Sequence, residues 1–201
     1  MLSAALRLFA SLLGILCFAA WATGQEATTT SPEQAAILKI AKADNIKAVY
    51  LYSFGRFTQW PAQEFALHPE FRIGIVGSAG VRSSLEKIAG KRTVHDRPIK
   101  VIYYQSVLDV ELTDCDLLFV SATIFPVDIA ALMGRLQETS VLTVTESSSR
   151  PNGTVVNFVE SNGQIQFEIN LEEAKRKQLA MDARLLRQGT RMQPHSPSQS
   201  P

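Results

Sequence analysis

Residues 46–61 have the sequence IKAVYLYSFGRFTQWP, which carries a dense aromatic pattern. Apolar and aromatic side chains recur there every three or four positions, as they do along one face of an α-helix. We therefore predict a helix that packs this face against a core, where most of the rings fill space. The residues of the face are Ile46, Tyr50, Ser53 or Phe54, Phe57 and Trp60.

The ends of this helix are predicted from capping signals. Ser31 is a suitable N-cap, Pro32 suits the first turn, and Gln34 completes a capping box. The pair Asp44-Asn45 could divide the segment into two helices. Pro61 is predicted to end it, because proline has no N–H to donate and restrains the residue before it.

Downstream, short apolar runs alternate with amphipathic segments. Strands are predicted over residues 71–76, 99–104, 117–120 and 141–145, and helices over 81–90 and 125–136. This alternation is typical of right-handed βαβ crossovers and a mostly parallel sheet. The predicted fold is α/β: a three-layer sandwich with a mostly parallel twisted sheet, a long N-terminal aromatic helix and a C-terminal β-hairpin.

The C-terminal part has a different pattern. Residues 154–160 and 164–169 flank a turn containing Asn162-Gly163, and Asn-Gly is a strong hairpin signal. Asn170, with Glu173 three residues later, is predicted to cap a helix that continues with interruptions to about residue 188. The serine- and proline-rich segment 189–201 is predicted to be a disordered tail.

The N-terminus has the features of a secretory signal. Residues 1–22 contain Arg7, an apolar run and the cleavage-like Ala20-Trp21-Ala22. We predict removal of this leader, a flexible linker over residues 23–31, one domain over 32–188, and residence in the periplasm with no membrane insertion after cleavage. The exported chain would keep one cysteine, Cys115, for which a packed structural role or pairing between chains both remain open.

The charge balance gives no electrostatic signature of nucleic-acid binding. The chain has 20 basic and 19 acidic residues, and loss of Arg7 with the leader makes the two counts equal. Catalytic motifs are also missing, and His68, His95 and His195 are far apart in sequence. We therefore predict no enzyme activity, no catalytic residues, no metal and no cofactor.

Two places are candidate binding sites. The loop of Gly77, Ser78, Ala79 and Gly80 joins a strand to a helix, where backbone N–H groups could hold a phosphate, although a simple tight turn explains it as well. Parallel strands commonly bind ligands at these tips.

The second candidate is a partner- or ligand-binding surface on the aromatic helix and the hairpin. Arg56, beside Tyr52 and Trp60, could stack on a ring or meet an anion. Glu168, on the polar face of the hairpin, could contact a partner. The alternatives are a solvated helix charge for Arg56 and, for Glu168, a carboxylate that keeps an edge strand soluble.

The segment 50–61, YLYSFGRFTQWP, resembles the opening helix of the YfiR family, whose pattern is approximately A-x-YLY-x-F-x-x-F-x-x-WP. Further similar motifs follow in the same order, so that the resemblance extends from about residue 44 to residue 188. They lie at residues 71–77, 117–120, 141–145, 167–171 and 184–186.

The resemblance implies a periplasmic regulator. Such proteins repress a membrane diguanylate cyclase by binding its sensor domain, which controls cyclic-di-GMP, biofilm formation and motility. The implied partners are an inner-membrane cyclase or sensor kinase and an outer-membrane lipoprotein. A homodimer of the chain is a separate candidate assembly. Some family members have regulatory disulfides, for which this sequence lacks the cysteines. The alternative is a periplasmic receptor for a small molecule or nucleotide that passes its signal to a membrane sensor.

Overall fold

The computed structural model describes residues 31–192 of the 201-residue chain. The predicted leader, nearly all of the predicted linker and residues 193–201 lie outside the described part. The helices are α1 Pro32–Arg56, α2 Ala62–Phe65, α3 Ala79–Ala89, α4 Pro126–Arg135, α5 Leu171–Arg176 and α6 Ala183–Leu186. The strands are β1 Thr58–Gln59, β2 Phe71–Val76, β3 Thr93–Val94, β4 Arg97–Tyr104, β5 Leu117–Val120, β6 Leu142–Thr145, β7 Val156–Ser161, β8 Gln164–Ile169, β9 Ala180–Met181 and β10 Thr190–Arg191.

The main sheet has the strand order β10-β8-β7-β6-β5-β2-β4-β3. Its centre is parallel from β4 through β2, β5 and β6 to β7. Antiparallel pairs occur where hairpins join β7 to β8 and β3 to β4. The prediction of a mostly parallel sheet with a C-terminal hairpin is confirmed.

Two apolar clusters lie on opposite faces of this sheet, because neighbouring side chains of a strand point to opposite sides. In β5, Leu117 and Phe119 belong to the cluster under α1 and α3, whereas Leu118 and Val120 belong to the cluster under α4. The result is helix, sheet, helix, which is the predicted three-layer arrangement.

Helix α1 begins as predicted and continues without a break. Ser31 and Gln34 form the reciprocal capping box. The pair Asp44-Asn45 does not divide the helix, because both side chains are directed to α3 and not to their own backbone. Asn45 accepts a 2.6 Å hydrogen bond from Ser84, and Asp44 lies against Gly80. No described helix, α1 included, has the length and hydropathy to cross a bilayer.

The predicted end of α1 at Pro61 is wrong, since the helix ends at Arg56. Phe57 donates its backbone N–H to Ser53, and the chain then turns into β1, which pairs with β9. Nε2 of His95 donates to the carbonyl of Gly55, in the last turn of α1, at 3.1 Å and to that of Thr58, in β1, at 2.8 Å. Tertiary contacts therefore end the helix before proline can.

The turn between β3 and β4 has no glycine, and the sequence pattern did not predict it. His95 and Asp96 both have positive φ, 48° and 63°, and form the two-residue connection. By contrast, the predicted Asn162-Gly163 turn is present between β7 and β8, again with both φ values positive.

The C-terminal segment differs from the prediction. In place of the predicted interrupted helix, the structure has two short helices, α5 and α6, with β9 between them. The ordered chain also continues past residue 189, because β10 adds to the sheet parallel to β8. Strand β8 therefore lies between β7 and β10 and is not an edge strand.

Candidate functional site

The strand-tip loop after β2 is partly occluded by α1: Gly77 and Ser78 are half-buried, and Ala79 and Gly80 are exposed. Gly77 has φ +81°, and its carbonyl accepts a 2.8 Å hydrogen bond from Thr123. Ser78 caps α3 by accepting from the backbone N–H of Val81. A Cβ built on Gly80 would overlap the carboxylate of Asp44, so α1 lies directly over the turn.

The side chains of α1 also determine the charge beside the loop. Burial raises the pKa of Asp44, and Glu146 adds to the effect while Lys47 opposes it. Lys47 is itself buried and pairs with Glu146 at 2.6 Å. A phosphate bound over Gly80 would meet the Asp44 carboxylate, and like charges repel. The geometry therefore disfavours the predicted phosphate site at Gly77, Ser78 and Gly80.

The structure brings two of the predicted surface residues together. The guanidinium carbon of Arg56 lies 5.7 Å from the ring centroid of Tyr52 and 5.5 Å from that of Phe57. The guanidinium of Arg184 lies 4.8 Å from the Phe57 ring. Among the described residues, no carboxylate lies within ion-pair distance of Arg56. The aromatic rings hold this exposed cation without neutralising it.

Arg56 and Tyr52 also form one wall of an open cleft of about 690 Å³, which we call the basic cleft. Lys91 and Arg92 lie in the loop before β3, and they line the cleft together with His95 and a single carboxylate, Asp96. Basic side chains outnumber acidic ones, so the cleft suits an anionic group. Sequence analysis missed Lys91 and Arg92 because only the β3–β4 turn folds them towards α1.

His95 has a structural position in this cleft. Its Nε2 faces two carbonyl oxygens and must therefore carry the proton that it donates to them. His68 likewise donates from Nε2 to the carbonyl of Thr113, at 3.0 Å. Among residues 31–192, no group of three His, Cys, Asp or Glu side chains is placed to hold a metal ion.

Trp60 does not line the basic cleft, although its ring lies 6.2 Å from that of His95, which does. Its indole stacks on Phe65 with centroids 5.6 Å apart and meets the edge of Phe71 at 5.2 Å. Its Nε1 donates to the carbonyl of Asp116 at 3.2 Å. The indole lines a separate cavity of about 240 Å³ near the start of β5 and β6, which we call the Trp60 pocket.

Cys115 also lines the Trp60 pocket and is almost completely buried. Burial, together with the charges of Asp116 and Asp114, raises the pKa of this thiol to about 12. A thiol with so high a pKa is protonated at neutral pH and is a poor nucleophile. Burial likewise raises the pKa of Asp116, although the N–H of Arg72 donates to its Oδ2 at 2.7 Å. The structural role left open for Cys115 therefore fits the geometry.

Glu168 is held by an internal partner on the other side of the sheet. Phe167 and Ile169 face the cluster under α1, so Glu168 points to the opposite face. There its Oε1 accepts from the Nη2 of Arg150 at 2.7 Å, and Oε2 accepts from Nε of the same guanidinium. The four predicted surface residues therefore do not form one site: Tyr52 and Arg56 are together, and Trp60 and Glu168 are separate.

Comparison with known protein families places the chain. A family model described as YfiR/HmsC-like matches residues 44–190, which is well over half of the chain. The match begins twelve residues inside α1, so the exposed first turns of that helix precede it. No curated protein matches the chain.

Proposed function

Because the chain belongs to the YfiR/HmsC-like family, we propose that it is a periplasmic repressor that binds the sensor domain of an inner-membrane diguanylate cyclase. The family match over residues 44–190 is the observation that carries this proposal. The family is regulatory and non-catalytic, and it acts in diguanylate cyclase signalling. Repression would lower cytoplasmic cyclic-di-GMP and so control biofilm formation and motility.

The basic cleft is the surface that we assign to the partner. Arg56 is exposed, has no carboxylate partner among the described residues, and is oriented by the Tyr52 and Phe57 rings. A cation that is already positioned loses less entropy on binding an acidic segment than a free one does. We therefore infer that an acidic segment of the sensor domain binds across this cleft.

Regulation by such binding follows from linkage. A repressor shifts a sensor between two states only to the extent that it binds one state more tightly. An outer-membrane lipoprotein that sequesters the repressor would release the cyclase by competition. The same linkage would apply if the partner were a sensor kinase instead of the cyclase, or if the chain bound its partner as a homodimer.

The proposal is tested with a deletion strain and two point variants. Deletion of the gene is expected to raise cellular cyclic-di-GMP, and the native gene to restore it. Arg56→Glu reverses the charge in the basic cleft and is expected to behave like the deletion. Lys42→Glu is the matched control, because Lys42 is an exposed cation on the same helix and far from the cleft.

Both variants are expected to fold, since surface changes usually alter stability by no more than about 0.5 kcal/mol. Thermal melts of the purified proteins verify this. Unchanged cyclic-di-GMP on deletion contradicts the repressor function itself. Full repression by a normally folded Arg56→Glu protein contradicts only the assignment of the cleft.

A further inference from the structure

The Trp60 pocket has the shape of a small-molecule site. Its volume of about 240 Å³ is below the range of about 300–1,000 Å³ typical of pockets for drug-sized ligands, so it suits a smaller molecule. The indole of Trp60 and the aliphatic side chains of Leu67, Leu112 and Val141 make most of its wall apolar. Leu67 and Leu112 are exposed by 60% and 38%, which leaves apolar surface for a ligand to cover.

The ring N–H donors of the pocket are already used. Trp60 donates to the carbonyl of Asp116, and His68 donates to that of Thr113. The hydroxyl of Thr139, another lining group, donates to the carbonyl of Leu136 at 2.8 Å. An anionic ligand would therefore be left with uncharged hydroxyl donors, such as those of Thr113 and Ser140, and with no lysine or arginine in the lining.

Of the carboxylates that line the pocket, those of Glu64 and Glu138 remain available, whereas Oδ2 of Asp116 accepts from the N–H of Arg72. Glu64, Asp116 and Glu138 line it, and none of the three forms an ion pair with any residue from 31 to 192. The nearby amino group of Lys177 is buried and donates to the carbonyls of Leu136 and Thr139. No lysine or arginine side chain belongs to the lining.

These carboxylates are not arranged around a metal ion. Among the described residues, no group of three possible ligands comes close enough to hold one. Dispersed carboxylates beside the Trp60 indole instead match an ammonium group, which binds oxygen acceptors and is attracted to aromatic rings.

We propose that the Trp60 pocket binds a small organic ammonium ion with an aryl or alkyl body. The body covers Trp60, Leu67 and Leu112, and the ammonium group donates towards Glu64 and Glu138. The Trp60 pocket and the basic cleft have different lining residues, although the Trp60 ring lies 6.2 Å from that of His95, which lines the cleft. The inference does not depend on the proposed repressor function.

The test compares three probes that share a phenylethyl body and differ in the terminal group, by titration calorimetry on the protein purified from the periplasm. They are 2-phenylethylamine, the neutral 2-phenylethanol and the anionic 3-phenylpropionate. We expect the amine to bind with a Kd below about 1 mM and at least about tenfold more tightly than either analogue. The amine should also change tryptophan fluorescence, because the second of the two tryptophans, Trp21, lies in the predicted leader.

Variants locate the binding site. Glu64→Gln combined with Glu138→Gln keeps the shape of both exposed side chains, removes two charges, and is expected to weaken amine binding by roughly tenfold. Glu111→Gln is the matched control, because Glu111 is an exposed carboxylate of the same region outside the pocket lining.

Three outcomes would overturn the proposal: no amine binding up to about 10 mM, equal binding of the alcohol or the acid, or an equal loss in Glu111→Gln and the double variant. Melting curves of all variants verify folding. Cyclic-di-GMP levels do not enter this test, so its failure leaves the repressor function untouched.

Discussion

Phe54 is the residue at which the aromatic pattern of α1 has its clearest structural effect. It is completely buried, and its ring centroid lies 4.9 Å from Phe167 and 5.7 Å from Phe158. Phe57, predicted to share this role, is only partly buried and lies under Arg56 and Arg184. Phe54 is therefore a core residue, whereas Phe57, three positions later, is a partly buried ring that contacts two guanidinium groups.

Phe54→Ala is expected to cost about 3–5 kcal/mol, because it opens a cavity between α1 and the hairpin. A domain has about 5–15 kcal/mol of stability in total, so the variant should be partly unfolded or recovered in low yield. Phe57→Ala is the comparison and should cost clearly less. Urea unfolding of both variants measures the difference, and equal losses would contradict the division of roles.

Cys115 provides a second test at the residue scale. Its burial and raised pKa predict that iodoacetamide alkylates it very slowly in the native protein and rapidly in denaturant. Mass spectrometry of the timed reaction measures both rates. Dithiothreitol should leave the melting temperature unchanged. Rapid native alkylation, or a large shift on reduction, would indicate an exposed or intermolecularly bonded thiol.

At the scale of elements, the C-terminus of α1 depends on a distant turn. His95 reaches across from the β3–β4 connection and donates to carbonyls at the end of the helix. Together with the pairing of β1 and β9, this contact directs the chain from the helix towards Trp60. The same turn carries His95 and Asp96 into the basic cleft. The β3–β4 turn therefore contributes both to the end of α1 and to the lining of the cleft.

His95→Ala is expected to lower the free energy of unfolding by about 1 kcal/mol, because helix carbonyls lose a donor that solvent replaces only in part. Arg92→Ala is the control, since Arg92 is exposed in the same loop and forms no ion pair with a described residue. Thermal and urea denaturation measure the stability of both variants. If His95→Ala loses no more stability than Arg92→Ala, the pairing of β1 with β9 alone ends the helix.

At the scale of the whole molecule, α1 lies beside one tip of the sheet, where an α/β protein commonly binds ligands. Asp44, in the middle of α1, lies against Gly80 in the turn after β2, and the C-terminal end of α1 contributes Tyr52 and Arg56 to the basic cleft. The Trp60 pocket is lined by segments outside α1, near the starts of β5 and β6.

Export is a prediction for the whole chain that concerns residues outside the described part. Arg7, the apolar run and Ala20-Trp21-Ala22 predict cleavage by a signal peptidase. N-terminal sequencing of protein from a periplasmic extract is expected to begin near Thr23 or Gln25. Recovery of the uncleaved chain from the cytoplasm alone would contradict the periplasmic assignment.

Local patterns determined much of the fold. The capping box of Ser31, the apolar runs of β2 and β5, and the Asn162-Gly163 turn are recognisable because each depends on residues adjacent in sequence. The motif around Tyr50–Pro61 is local in the same sense, and together with the later motifs it indicated the family.

Only the tertiary structure decided where α1 ends, how the tail pairs, and which candidate residues share a surface. The end of α1 depends on His95, about forty positions away, and β8 is internal because β10 returns to it. Arg56 and Trp60 are four positions apart, yet the chain leaves the helix between them and places them in different sites. Contacts between residues distant in sequence carry no signature in a single chain, so these features could not be predicted from it.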